Sequence, residues 1–180
     1  MWLAKAAISL CFIVLSAHAQ QWQQWNWNPF AYWGNLGVAN APAQTTRATA
    51  AEIYGTPGTR NPSQKLRSCC RSLKDADVTC RRKYCDFDKF SSSQLVLFLT
   101  ECMPKPPTVW EMWNCVSSAA DHTQCCWQQG VLPMCMPYCD ATKPVPTDFA
   151  KYGICLSQFD KIRQCFYSYM ESHPNIKGDY

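Results

Sequence analysis

From residue 62 onward the apolar positions of this chain recur every three or four residues, and no segment alternates with the period of two that a half-buried strand requires. Asn61 is placed to cap a helix with Pro62 in its first turn and Leu66, Cys69 or Cys70, and Leu73 at helical spacing. A second helix is predicted from the cluster Ser91, Ser92, Ser93 through Leu95 to Cys102, stopped by Pro104. Thr108-Val109-Trp110-Glu111 has the form of a capping box and predicts a third helix running through Cys115. A short fourth begins near Asp121 and ends at Gly130, a residue suited to a left-handed cap. Pro133 opens a turn that places Cys135 and Cys139 on one face. The longest pattern comes last. Thr147 is expected to cap a helix carrying Phe149, Tyr152, Cys155, Phe159, Ile162, Phe166 and Tyr169, ended by His173-Pro174. The pattern therefore predicts an all-α domain of about five short to medium helices over residues 62–171, with a polar tail at 172–180.

The residues before 62 follow other rules. Met1 to Lys5 carry one positive charge, Ala6 to Leu15 are apolar, and Ala17 and Ala19 flank His18, so residues 1–19 read as a signal peptide cut after Ala19. The apolar stretch is shorter than the roughly 20 residues a membrane helix needs, and the longest later apolar run is Leu95 to Leu99. The polar stretch from Ser172 to Tyr180 does not fit a lipid-anchor signal. Residues 20–61 hold no cysteine and three charges, Arg47, Glu52 and Arg60. They open QWQQWNWNPFAYW and then turn rich in Ala, Thr and Pro, a low-complexity pattern expected to be a disordered, aromatic-rich tail. Trp22, Trp25, Trp27 and Trp33 lie here, either as a contact surface or as an arm packed on the domain. Trp22 to Trp25 and Trp110 to Trp113 both fit W-x-x-W, and C-mannosylation is expected only at the first. Proline blocks the one N-glycan motif, Asn61-Pro62-Ser63.

Cysteine content sharpens the picture. Twelve of the 13 cysteines lie at Cys69, Cys70, Cys80, Cys85, Cys102, Cys115, Cys125, Cys126, Cys135, Cys139, Cys155 and Cys165, and signal cleavage removes the odd Cys11. In a secreted chain an even, dense set reads as six disulfides rather than metal ligands. A domain of about 110 residues built from short helices buries a modest core, and each bridge adds about 2–4 kcal/mol by restricting the unfolded chain. Twelve cysteines allow roughly ten thousand complete pairings, which leaves connectivity open. Adjacent residues rarely bridge, so Cys69 and Cys70 should reach different partners, as should Cys125 and Cys126.

Charge is uneven. The whole chain carries +4, and residues 60–89 hold nine Lys or Arg against four Asp, while six basic residues face eight acidic ones from Phe90 on. Arg81-Arg82-Lys83 between Cys80 and Cys85 is either a solvated loop or a contact for acidic glycans or anionic lipid. So modest a charge on a secreted chain excludes nucleic acid as a partner.

The segments CCRSLKDADVTCRRKYCDFD, Cys102, Cys115, DHTQCCWQQGVLPMCMPYC and KYGICLSQFDKIRQCF together resemble the DB module, a twelve-cysteine extracellular domain of invertebrate proteins. The resemblance spans about Cys69 to Phe166 and includes the pair Asp121-His122. It implies surface or matrix recognition and carries no established activity. One departure lies between Cys115 and Asp121, where VSSAA lacks the glycine expected before that pair.

Asp121-His122 is the nearest approach to a catalytic motif. Secreted phospholipases A2 place His-Asp just after a cysteine doublet, whereas here the order is reversed and the pair precedes the doublet. No Gly-rich calcium loop accompanies it, so Asp121 is expected to cap a helix and His122 to pack in or beside its first turn. No other nucleophile–base system is apparent, and His173 lies in the tail. Cys135-x3-Cys139 has ligand-like spacing, but oxidation is favoured over zinc. Asp75-Ala76-Asp77 and Asp86-Phe87-Asp88 are too short for calcium loops and should form caps and turns. No cofactor is implied. The sequence points to a secreted, non-enzymatic module that binds an extracellular protein or glycan, with Arg81, Arg82, Lys83, Trp22, Trp25 and Trp27 as contact candidates. The competing reading is a small lipid-directed hydrolase using Asp121 and His122.

Overall fold

Local caps decide where the helices of this chain begin. Residues 47–180 are described by the computed structural model, 149 and 150 by backbone alone. The expected signal peptide, Cys11, and the tail tryptophans Trp22, Trp25, Trp27 and Trp33 lie outside the described residues. Helix α1 spans Ala50–Tyr54 and α2 spans Pro62–Ser72. Each opens on a reciprocal capping box, Thr49 with Glu52 and Asn61 with Gln64. Helix α3 spans Val78–Tyr84, capped by the Asp77 carboxylate, which accepts from the Cys80 amide at 2.9 Å. There follow α4 at Ser92–Cys102, α5 at Thr108–Ser117 and α6 at Thr123–Gln128. A 3-10 helix covers Pro133–Tyr138, then α7 covers Phe149–Tyr152, a second 3-10 helix Gly153–Gln158, and α8 Phe159–Ser172. The described residues hold no strand and one isolated antiparallel bridge between Asp121 and Asp140, so the all-α reading stands.

Four elements differ from the sequence expectation. Helix α1 sits inside the segment read as tail. It buries no residue, and its orphan carbonyls are met instead by side chains from the entry to α2 and from α2 itself: Arg60 Nε donates to Tyr54 O at 2.6 Å and Arg67 Nη1 to Ile53 O at 3.2 Å. Arg81-Arg82-Lys83 forms the last turn of α3 rather than a loop, where cations complement the helix dipole. The expected capping box at Thr108 does not form. The Thr108 hydroxyl, fully buried, accepts from the Asp77 amide at 2.8 Å and so ties the start of α5 to the start of α3. The single long helix predicted from Thr147 is capped by Asp148 and broken by the 3-10 stretch, which starts at Gly153, a poor helix former.

All six predicted bridges form, and both doublets split as expected. Cys69 pairs with Cys115, Cys70 with Cys85 and Cys80 with Cys102. Cys125 pairs with Cys165, Cys126 with Cys139 and Cys135 with Cys155. The first three lie within 69–115 and the second three within 125–165, so no bridge crosses from one half to the other.

What joins the halves is packing. Aromatic rings run from Tyr84 to Phe98, Phe90, Phe159, Trp113 and Phe166, with successive centroids 5.0 to 6.4 Å apart and mostly edge to face. A second join is polar. Lys65, 3% exposed on α2, donates to the Met170 carbonyl at 2.7 Å and the His173 carbonyl at 2.8 Å, capping the end of α8. The stretch after α8, read as a polar tail, folds back as a strap: Asn175 Nδ2 donates to Lys65 O at 2.9 Å, and Asp179 pairs with Arg60 and accepts from the Ser68 hydroxyl.

Candidate functional site

Asp121 and His122 follow the left-handed turn that ends α5. Asp121 is exposed, and its carboxylate accepts from the Thr123 amide at 2.9 Å, closing an Asx turn at the head of α6. His122 is 4% exposed. Its amide donates to Cys139 O at 2.8 Å, and its Nε2 lies 2.8 Å from Ser117 O, which makes Nε2 the protonated nitrogen. The ring packs on Phe166 at 4.7 Å and edge-on to Tyr169 at 5.1 Å. Burial pushes the imidazole below its ordinary pKa, against the opposing pull of the Ser117 carbonyl and Asp121. The neighbours of this ring are aromatic faces and main chain, and it lines neither of the two cavities described below. On the far side of Tyr169, the exposed His173 stacks at 4.1 Å.

The basic strip is largely engaged within the domain. Arg81 Nη1 donates to the Cys70 and Arg71 carbonyls, both at 3.2 Å, and so caps α2. Lys83 pairs with Glu101 at 2.6 Å, and the Tyr84 hydroxyl donates to the same carboxylate at 2.8 Å. These contacts raise the Lys83 pKa and lower that of Glu101. Arg82 is exposed and makes no ion pair among the described residues. The two aspartate pairs make caps and turns as expected. Asp77 caps α3, while Asp86 pairs with Arg67 and accepts from the Asp88 amide at 3.0 Å. Among the described residues no cluster of side chains could hold a metal ion, and no helix is long and apolar enough to cross a membrane.

One concavity was not anticipated. A cavity of about 600 Å³ opens between α4, α5, residues 144–147, the second 3-10 helix and α8. Phe98, Trp113, Phe159 and Ile162 form its buried floor. Val96, Met103 and Trp110 stand exposed at its edge. Among the described residues no charged side chain lines it. Tyr138, whose phenol burial pushes up, donates to Pro146 O at 3.3 Å and pins the proline-rich wall. A second cavity, about 230 Å³, lies between Leu73, Trp110, Asn114 and Ile176. The signal for the larger one was present as Leu95 to Leu99, Pro106-Pro107 and Pro144-Val145-Pro146, but an apolar residue facing a cavity looks the same in sequence as one facing a core.

The model of the DB module family matches residues 69–166, which is 98 of the 180 residues and takes in all twelve bridged cysteines. No curated protein and no solved structure matches the chain.

Proposed function

The chain belongs to the DB module family, and on that premise we propose that it is a secreted, non-enzymatic binding module of the extracellular space. Six bridges suit an oxidising compartment and hold short helices in fixed relation. The observation that carries the reading is the cavity of about 600 Å³, whose lining residues, among those described, are uncharged and include no acid, base or nucleophile pair. Such walls favour holding an apolar group over transforming a polar one.

The burial of His122 supports the same reading. A general base must reach the proton it abstracts, and this ring is committed to Ser117 O and packed between Phe166 and Tyr169. A hydrolase screen on the refolded chain, with esters, phospholipids and peptides as substrates, should find no turnover that His122→Ala abolishes while the six bridges stay intact. Turnover lost in that variant would establish the hydrolase instead. In parallel, pull-down of extracellular material with the chain should retain a specific partner or ligand. If nothing specific is retained, the binding role fails.

A further inference from the structure

Resting on the binding-module reading, we propose that the 600 Å³ cavity is a site for a long-chain fatty acid, its aliphatic tail lodged against the floor and its carboxylate at the mouth beside Lys151. Volume comes first. Sites for small organic molecules run from about 300 to 1,000 Å³, and this cavity falls within that range while its neighbour at about 230 Å³ does not. Depth comes second. The floor residues Phe98, Ile162 and Phe159 are 1%, 1% and 3% exposed, so the cavity reaches the core and does not merely dent the surface.

The walls then select the ligand's chemistry. The side chains among them with a hydroxyl or an indole N–H are Thr100, Thr147, Tyr138, Tyr152, Trp110 and Trp113, and the Tyr138 hydroxyl is already engaged with Pro146 O. A peptide entering this space would bring a donor and an acceptor with each residue, and these walls offer almost nothing to satisfy them. Water meets the same shortage, since an ordered water needs two to four polar partners. A hydrocarbon chain needs none. Each methylene moved from water to such a lining is worth about 0.8 kcal/mol.

Lys151, exposed and next to Tyr152 in sequence, does not line the cavity itself. Lys151 Nζ lies 5.1 Å from the centre of the Tyr152 ring, which lines the cavity, and it makes no ion pair among the described residues. An anionic head group outside an uncharged cavity would complement it, which favours a carboxylate over the corresponding alcohol.

The test is a displacement titration. Full-length refolded chain is loaded with cis-parinaric acid, a fluorescent C18 fatty acid, and challenged with saturated fatty acids and fatty alcohols of C8 to C18. Affinity should rise about fourfold per added methylene, the equivalent of about 0.8 kcal/mol, until the cavity is full. Val96→Asp, a change at an exposed rim position, and Leu99→Trp, which fills the wall, should each weaken binding at least tenfold. Val78→Asp, equally exposed but outside the cavity, should bind as the parent does. Lys151→Gln should abolish the preference for acid over alcohol at equal chain length.

Absence of saturable binding overturns the proposal, as does an affinity indifferent to chain length. So does wild-type binding by both Val96→Asp and Leu99→Trp, or an acid preference that survives Lys151→Gln. Partition of the chain onto phosphatidylcholine vesicles without uptake of free fatty acid assigns the rim to a membrane surface instead, and also overturns it. Any of these failures leaves the binding-module reading standing, because that reading is judged by the pull-down.

Discussion

Ser118 and Ala119 carry φ angles of +53° and +49°, two consecutive residues with side chains in the left-handed region. This is the stretch where a glycine was expected before Asp121-His122. Without Cβ the turn would form freely; with it, each residue pays about 1–2 kcal/mol of steric strain. Ser118 adds a hydroxyl that is buried without a hydrogen-bond partner among the described residues. Ser118→Gly relieves both, against about 0.5–1 kcal/mol of extra freedom in the unfolded chain. We expect a net gain of about 1 kcal/mol, read as a higher urea midpoint with bridges intact. His122, four residues on from Ser118, makes a pH prediction. Its folded pKa lies below its unfolded value near 6.5, so the unfolded chain takes up the proton first as pH falls. Stability from this group is therefore full above about pH 6.5 and declines from there down through the folded pKa. Between pH 7 and 5 the parent should lose stability more steeply than His122→Gln in parallel urea titrations. Equal slopes would show that the imidazole is not a buried neutral group.

Among the elements, α8 depends on a group that reaches it from 105 residues away. Lys65 on α2 satisfies two carbonyls at its end. Lys65→Met keeps much of the aliphatic stem and removes the donors, which should cost about 2–3 kcal/mol, the usual loss when a charged hydrogen bond is removed from a buried site. It should also free the strap at 174–180 for early proteolysis, because Asn175 donates to the Lys65 carbonyl beside it. Unchanged stability with an intact strap would mean that the buried cation contributes nothing. Elements like α2 and α4 were legible because their signals are local: Asn61 and Pro62 at one start, the serine cluster and Pro104 bounding the other. Helix α1 was not, since its five residues bury nothing and are held by Arg60 and Arg67 from a later segment. The strap was hidden for the same reason, its polar residues finding partners more than a hundred positions upstream. A run of three cations disguised α3 as a loop, because the run hides that Arg81 turns inward to cap α2. The break at Gly153 escaped because apolar spacing of three or four fits a 3-10 turn almost as well as an α-helix. Site reading followed the same division. The packing of His122 was legible, although His122 itself occupies the N-cap position of α6 and Asp121, expected to cap, closes an Asx turn before it, whereas the cavity needed the third dimension.

At the scale of the whole molecule, the bridges sort into two closed sets joined by non-covalent packing. Digestion of the urea-unfolded, unreduced chain with a protease that cuts before aspartate should therefore cleave at Asp121 and release two families of linked peptides. No linked peptide should join a cysteine before Asp121 to one after it, and a single such species by mass spectrometry would refute the pairing. The partition also bears on how the molecule is made. Six cysteines allow 15 pairings, so two separate sets present two problems of that size in place of one of roughly ten thousand. The first set is complete at Cys115, 50 residues before the last cysteine of the second at Cys165. At a synthesis rate of about 5–20 residues per second, synthesis into an oxidising compartment would give the first three bonds roughly 0.5–2 s before Cys125, ten residues on, can compete for a partner, and several seconds before Cys165 can. The order of the cysteines along the chain thus serves as a schedule for their own oxidation.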